Sequence, residues 1–135
     1  MKIQIITRMI TVVALCTTLA VAGIAQKPSK WVAPDNAKTV KNPSPGAVAS
    51  IATGKELYTK SCKSCHGIGG KGDGPKAATI EGSCNDFTSK DFQSQTDGEI
   101  FYKITNGKDK MPAYGKTIAA DADRWALVNY IRTLK

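Results

Sequence analysis

The sequence is poor in the residues that build the commonest disulfide and metal sites. It has one histidine, His66, so a site that needs two imidazoles from one chain is excluded. Of the four cysteines, Cys16 lies in an apolar N-terminal stretch, which leaves an odd number in the rest of the chain. An odd number does not suit a framework of paired disulfides in an exported protein. The count is natural if two of these thiols are used covalently for something else.

Patterns typical of β-structure are missing as well. No segment alternates apolar and polar residues convincingly with a period of two, and no internal repeat is present. Helical spacing begins instead at about Ser50, and it places Gly54 and Tyr58 on one face. A Thr53-x-x-Glu56 capping box offers a later start for this helix. Because glycine weakens a helix, we expect close packing against another helix at Gly54.

Two more helices are predicted in the second half of the chain. A Thr96-x-x-Glu99 capping box opens the first of them, which ends at Gly107. The last helix begins at about Asp121, a suitable N-cap, and runs to Leu134. The predicted fold class is therefore all-α, with three to four helices joined by glycine- and proline-containing loops.

Acidic residues are too few to balance the basic ones. The chain has 19 basic and 11 acidic residues, a net charge of +8. The basic residues are spread singly and no nucleic-acid motif accompanies them, so a nucleic-acid partner is not expected. The positive charge favours partners with acidic surfaces and speeds the encounter with them.

Only one long apolar run is present, from Met9 to Ala25. Lys2 and Arg8 precede it and small residues close it, so residues 1–25 are predicted to be an export signal peptide. The run is at the short edge for a membrane span, and an uncleaved anchor is the alternative. We therefore expect a periplasmic protein that reaches the membrane, if at all, through an uncleaved N-terminus or a partner complex.

Residues 26–49 are predicted to form an exposed arm, and residues 50–135 the folded domain. Prolines interrupt regular structure in the arm and lysines keep it in water, namely Pro28, Pro34, Pro43, Pro45, Lys27, Lys30, Lys38 and Lys41. Trp31 and Val32 are the residues that would pin the arm onto the domain. A disordered tether is the alternative.

The strongest motif is Cys62-x-x-Cys65-His66. On a helix, residues i and i+3 share a face, so two such thiols can add across the two vinyl groups at one edge of a haem. His66 then turns its imidazole toward the iron, and this spacing is that of c-type haem attachment. A thioredoxin-like pair would need a βαβ setting, which is absent. A zinc site through Cys62, Cys65 and Cys84 would lack a fourth ligand.

The second axial ligand of such an iron is a choice between Met111, a lysine and an open position. Met111 is the one methionine outside the N-terminal stretch, and it lies in a polar loop rather than on an apolar face. Pro112 stiffens the chain just beyond it. A thioether raises the reduction potential and fills the sixth position, which suits electron transfer. We favour Met111.

The region from Gly54 to Leu134 resembles class I cytochrome c, in particular the small bacterial monohaem proteins. Four separate elements carry the resemblance in order and spacing, namely Gly54-x-x-Leu57-Tyr58-x-x-x-Cys62-x-x-Cys65-His66-Gly67, Gly72-Asp73-Gly74-Pro75, Gly107-x-x-x-Met111-Pro112-Ala113-Tyr114 and Trp125-Ala126-Leu127-Val128-Asn129-Tyr130-Ile131. Cys84 departs from the family pattern, and we assign it no function.

The resemblance implies the cytochrome c fold around one covalent haem c, with the first and last helices crossing at Gly54 and Tyr58. It also implies that the Pro75 carbonyl accepts the ring N–H of His66, a bond that orients a metal-bound imidazole. Aromatic side chains would form the apolar wall around the haem, namely Phe87, Phe101, Tyr114 and Trp125.

The function expected from these features is that of a one-electron carrier between redox partners of a respiratory chain, and not that of an enzyme. The alternative is a dedicated electron-entry subunit of a membrane redox complex or periplasmic dehydrogenase. A peroxidase or gas sensor would need an open sixth position, against which Met111 argues. We expect a monomer that docks weakly on acidic redox proteins through lysines near the two motifs, namely Lys60, Lys63, Lys71, Lys108, Lys110 and Lys116.

Overall fold

The computed structural model describes residues 31–80 and 84–135, so the predicted signal peptide lies outside the described residues. Its helices are α1 (Asp35–Lys38), α2 (Val48–Ser61), α3 (Lys63–His66), a 3₁₀ turn (Ala77–Thr79), α4 (Lys90–Gln93), α5 (Asp97–Asn106) and α6 (Asp121–Ile131). No strand occurs in these two ranges, and the all-α prediction is confirmed. No helix among the described residues is long and apolar enough to cross a bilayer.

The first long helix packs directly on the last one at Gly54. A methyl group built on Gly54 would overlap the carbonyl oxygen of Ala126 and lie 2.9 Å from Cβ of Tyr130. One turn further, the Tyr58 and Tyr130 rings lie 5.1 Å apart. The contact of α2 with α6 that was predicted from Gly54 is therefore confirmed. The absent side chain lets the two backbones approach, which explains a glycine inside a helix.

The core is formed where α2, α5 and α6 meet. Its fully buried side chains are Tyr58, Ile100, Leu127 and Val128. Phe87, Phe92 and Ile118 extend the same cluster. The core therefore lies between α2, which precedes the cysteine motif, and α5, which precedes the Met111 loop.

The capping box before α5 is present as predicted. The Glu99 amide donates to Oγ1 of Thr96 over 3.2 Å, and the Thr96 amide donates to Oε2 of Glu99 over 2.7 Å. The helix ends at Gly107, whose φ of 62° favours glycine. The capping box and Gly107 thus set the two ends of α5, the helix that precedes the Met111 loop.

The starts of two helices can be compared with their predictions. α2 begins at Val48, close to the predicted start at about Ser50, and the Thr53 hydroxyl donates to the Ala49 carbonyl within the helix, so the alternative start at the Thr53-x-x-Glu56 box is wrong. The N-cap of α6 is Ala120 rather than Asp121. Asp121 is the first helical residue, where its carboxylate accepts from Arg124 instead of capping the backbone.

The described part of the predicted arm is attached to the domain. Ala33 and Ala37 are 2% and 5% exposed. A methyl group built on Gly98 of α5 would overlap the Ala37 carbonyl oxygen and lie 2.7 Å from that of Val40. Residues 31–47 thus lie within the compact unit from Trp31 to Lys135, although most of their side chains are exposed.

Polar side chains complete this attachment. Nδ2 of Asn42 donates to Oδ2 of Asp97 and to Oδ1 of Asn129, each over 2.8 Å. Trp31 lies against α5, with Nζ of Lys103 at 5.5 Å from its ring centroid, whereas Val32 is 64% exposed. Of the two residues predicted to pin the arm, only Trp31 makes a described contact.

Candidate haem-binding site

The cysteine motif lies on a single helical turn directly after α2. The Cys65 and His66 amides donate to the Cys62 carbonyl over 3.1 and 2.9 Å. This bonding holds Cys62 and Cys65 at the i, i+3 spacing that puts two side chains on one face of a helix. The cysteines at 62, 65 and 84 are free thiols. The turn therefore presents two thiols and an imidazole as one unit.

The environment of Cys62 is apolar. Its side chain packs against the core cluster. Burial, and then the proximity of Cys65, raises the pKa of the Cys62 thiol to about 12. Among the described residues no three side chains of the metal-ligating types His, Cys, Asp and Glu come together, so the alternative of a zinc site through Cys84 is not formed there.

Cys84 nevertheless lies beside the motif. A methyl group built on Gly72 would overlap the Cys84 carbonyl oxygen, and the amide of Gly72 donates to the His66 carbonyl over 2.9 Å. Burial, and then the neighbouring Cys65, raises the pKa of the Cys84 thiol. The departure from the family pattern therefore falls close to the predicted haem.

The His66 imidazole is half-buried and stacks on Phe87, with ring centroids 4.3 Å apart and planes 23° from parallel. Its Nδ1 atom has no hydrogen-bond partner among the described residues. Burial lowers the pKa of this imidazole, and a hydrogen bond with the Asn85 backbone opposes that shift. A neutral imidazole with an unsatisfied nitrogen is the form that binds a metal.

The predicted hydrogen bond from His66 to the Pro75 carbonyl is not made in this structure. The ring lies on Phe87 instead and leaves Nδ1 unpartnered. Pro75 itself is close to the motif, because the Gly74 amide donates to the Cys65 carbonyl over 3.1 Å and the Lys76 amide to the Ser64 carbonyl over 2.8 Å. Pro75 thus stays a neighbour of the haem motif without the predicted contact.

Met111 lies at the end of a tight turn. The Lys108 amide donates to the Met111 carbonyl over 3.0 Å, and the Met111 amide returns a bond of 2.9 Å to Lys108. Asp109, inside the turn, has a φ of 53°. The Met111 side chain is half-buried and packs against the same core cluster that includes Phe87, the stacking partner of His66.

Tyr114 joins the Met111 loop to the cysteine motif. Its hydroxyl donates to the carbonyl of Ser61, the residue before Cys62, over 2.8 Å. Burial, and then proximity to Cys62 and Cys65, raises the pKa of the Tyr114 hydroxyl. The structure therefore brings Met111 and Cys62 to one apolar cluster.

The predicted aromatic wall belongs to that cluster too. Phe101 and Trp125 stack with centroids 4.0 Å apart, and Phe87 makes an edge contact with Tyr58 at 6.4 Å. The residues present fit a haem, because free thiols, an imidazole with an unpartnered nitrogen and a thioether border an apolar aromatic cluster.

Sequence reasoning missed two polar side chains of this site. The buried Tyr58 hydroxyl donates to the Gly67 carbonyl over 2.7 Å, which fixes the chain just after His66. Tyr58 precedes Cys62 by four residues, a helical spacing that places the two on one face, and this spacing could have indicated that Tyr58 lies near the motif. Arg124 is buried against the loop that follows Met111, and no local pattern indicates this.

These features define a small c-type cytochrome. Residues 49–131 match the family described as cytochrome c oxidase, cbb3-type, subunit III, and the chain belongs to this family. It is 31% identical to cytochrome c6 of Diacronema lutheri over 53% of this chain and 81% of that protein. It is 30% identical to cytochrome c6 of Bumilleriopsis filiformis over 62% of this chain and 90% of that protein.

A solved structure shares the fold. A chain of the reducing HAO-like protein complex of Kuenenia stuttgartiensis superposes with a TM-score of 0.61 and 30% identity, covering 70% of this chain and 49% of that one. The chain thus spans about half of its structural neighbour. The predicted cytochrome c fold, its covalent haem c and its role as an electron carrier are confirmed by these comparisons.

Proposed function

We propose that the protein carries single electrons between redox partners of a respiratory chain in the periplasm, with His66 and Met111 as the axial ligands of its haem iron. The observation that carries the proposal is the Tyr114–Ser61 bond, which couples the Met111 loop to the turn that holds Cys62, Cys65 and His66. The two potential ligands, His66 and Met111, are far apart in the sequence, and this bond joins the segments that carry them.

The bound haem supplies an iron that alternates between the ferric and ferrous states. The protein residues tether and orient it and keep it dry. Cys62 and Cys65 would hold the cofactor covalently, His66 and Met111 would bind its iron, and the Phe87 and Phe101 side chains would exclude water. A site in which both ligands remained bound in either state would need little reorganisation of the protein.

We propose that the protein has no catalytic activity of its own. Arg124 is a buried charged side chain that contacts the segment after Met111, and its place there could not be predicted from the sequence. Its guanidinium is bound to backbone carbonyls and to Asp121. Because these bonds occupy the guanidinium, we propose that Arg124 has a structural role and takes no part in peroxidase chemistry.

Exposed lysines favour an acidic partner. The six lysines near the two motifs are all exposed, namely Lys60, Lys63, Lys71, Lys108, Lys110 and Lys116. Single exposed charges around a site mainly raise the association rate and set its salt dependence. The proposed docking is therefore brief and weakened by salt, and the carrier is a monomer between encounters.

A second function is favoured by the family description. Subunit III of a cbb3-type oxidase belongs to a larger complex, and the chain matches half of a longer chain in the HAO-like complex. The alternative proposal is therefore an electron-entry subunit held by a membrane redox complex or dehydrogenase. Gentle extraction followed by size-exclusion chromatography separates the two, because a carrier elutes alone and a subunit elutes with its complex.

A redox titration of the holoprotein and of Met111→Ala tests the proposed ligation. The natural protein is expected to titrate as a single one-electron couple. Loss of the thioether is expected to leave the haem attached, lower the potential and open the iron to added ligands, because a thioether favours the ferrous state. An unchanged potential in Met111→Ala would refute the ligand assignment.

A further inference from the structure

Arg124 is a buried charge that grips the chain beyond Met111. Only 5% of the surface of Arg124 is exposed. Nη1 donates to the carbonyls of Gly115, Ile118 and Ala119, over 3.4 Å for the first and 3.0 Å for the last. Nη2 donates to the carboxylate of Asp121. One side chain thus bonds three carbonyls of the segment that connects the Met111 loop to α6.

The near end of that segment is held by the backbone of α5. The Tyr114 and Gly115 amides donate to the carbonyls of Ile104 and Thr105, each over 3.0 Å. The far end has no such ladder, and there the Arg124 guanidinium supplies the donors. The segment that follows Met111, from Tyr114 to Ala119, is thereby held by α5 at its near end and by Arg124 at its far end.

The surroundings of Arg124 show why arginine is used. Its guanidinium carbon lies 5.2 Å from the centroid of the Phe101 ring, which stacks on Trp125. Nε is buried and has no hydrogen-bond partner among the described residues. A planar fork can reach several carbonyls while lying on an aromatic face, whereas the compact ammonium of lysine cannot. Burying a charge with one donor unpaired is unfavourable. We therefore expect that Arg124 is needed at this place to hold the segment that it contacts.

We propose that Arg124 is a positioning residue for the Met111 ligand, and that its grip on Gly115, Ile118 and Ala119 keeps the thioether on the iron. This inference rests on the proposed His66–Met111 ligation. Loosening the segment that follows Met111 lets Met111 leave the iron more often. Lys108 and Lys110, which are close to Met111 in the sequence, are then candidate replacement ligands.

The test compares Arg124→Lys with Arg132→Lys in the holoprotein. Arg132 is a matched control, because it directly follows α6 and also donates to backbone carbonyls. Its partners are Gln93, Gln95 and Asp97, on elements that do not carry Met111. The measurements are the charge-transfer band of Met sulfur on ferric haem, the reduction potential and the thermal unfolding midpoint.

Both variants are expected to unfold at a lower temperature. Only Arg124→Lys is expected to weaken the methionine band and lower the potential, with the equilibrium between bound and free Met111 shifted about tenfold by the loss of charge-assisted bonds. An unchanged band and potential in Arg124→Lys, with a lower unfolding midpoint as in Arg132→Lys, would overturn the proposal.

Asp121→Asn keeps the test decisive if Arg124→Lys does not fold. The Asp121 side chain is 73% exposed, and its replacement weakens only one bond to Arg124. A smaller change of the band in the same direction is expected, and no change would overturn the proposal. A natural protein that lacks the methionine band would refute the His66–Met111 ligation itself, and this inference would fail with it.

Discussion

Tyr114 and Ser61 are joined by a hydrogen bond of 2.8 Å that ties the loop after Met111 to the residue before Cys62. The bond runs from a side-chain hydroxyl to a backbone carbonyl across 53 residues of sequence. It couples the segment that attaches the haem to the segment that supplies the proposed sixth ligand. The pocket therefore depends on a contact between two loops as well as on its helices.

Tyr114→Phe removes that bond and little else. We expect the free energy of unfolding to fall by about 1 kcal/mol, the typical loss for one hydrogen bond. We also expect a weaker methionine band in the ferric spectrum, because the loop is less firmly held. Chemical denaturation and optical spectra measure the two effects.

Tyr102→Phe is the matched control, since Tyr102 lies on α5 and its hydroxyl makes no hydrogen bond among the described residues. It should leave both quantities unchanged. Equal losses in the two variants would show that the Tyr114–Ser61 bond has no special role.

Gly54→Ala tests the contact between α2 and α6. The added methyl group would overlap the Ala126 carbonyl, so the helices must separate, and we expect a destabilisation of about 3 kcal/mol. Gly69→Ala is the control, because nothing lies within 4 Å of a methyl group built there. It should change stability by no more than about 0.5 kcal/mol. Urea denaturation of the two holoproteins decides, and a stable Gly54→Ala would contradict the backbone contact.

Replacement of Cys62 and Cys65 by alanine should yield protein without covalent haem. We expect this double variant to fold poorly, because the apolar cluster around Phe87 and Met111 loses the group it encloses. Cys84→Ala should retain one covalent haem per chain, which mass spectrometry under denaturing conditions measures. A well-folded double variant, judged by circular dichroism, would refute the idea that haem completes the core.

Asn129 tests whether residues 31–47 belong to the folded domain. Its amide accepts from Asn42 over 2.8 Å and donates to the Ser44 carbonyl over 2.9 Å and to the Ser50 hydroxyl over 2.8 Å. Asn129→Ala removes all three bonds and leaves the Ser44 carbonyl without this donor, so we expect a loss of about 2 kcal/mol in stability. Faster hydrogen exchange over residues 42–50 should accompany it.

Asn36→Ala is the control for Asn129→Ala, because Asn36 is exposed on α1. It should leave both stability and exchange nearly unchanged. Unchanged exchange over residues 42–50 in Asn129→Ala would mean that the N-terminal segment is held by other contacts.

Features written in a few neighbouring residues were predictable from the sequence. The Thr96–Glu99 box and Gly107 fix α5 through local bonds, and the Cys62–His66 turn follows from helical spacing. Gly54 also predicted a close contact between helices, because a glycine destabilises a helix unless its missing side chain lets another element approach.

Features that depend on residues distant in sequence were not predictable. The N-terminal segment packs because Gly98 leaves room for Ala37 and Val40, and that pairing has no local sign. Four prolines and several lysines are typical of an arm in water, but Asn42 and Trp31 find partners in the second half of the chain. The bonds from Arg124 to the backbone carbonyls before α6 likewise depend on how the chain folds and have no local sequence pattern.

An optical spectrum of the oxidised and reduced holoprotein, matured by export in a haem-attaching host, tests the central claim most directly. The account predicts a low-spin c-type spectrum, with the charge-transfer band of Met sulfur on ferric haem that His66–Met111 ligation produces. A high-spin ferric spectrum that shifts on addition of an external ligand would contradict the account, because it would place Met111 off the iron.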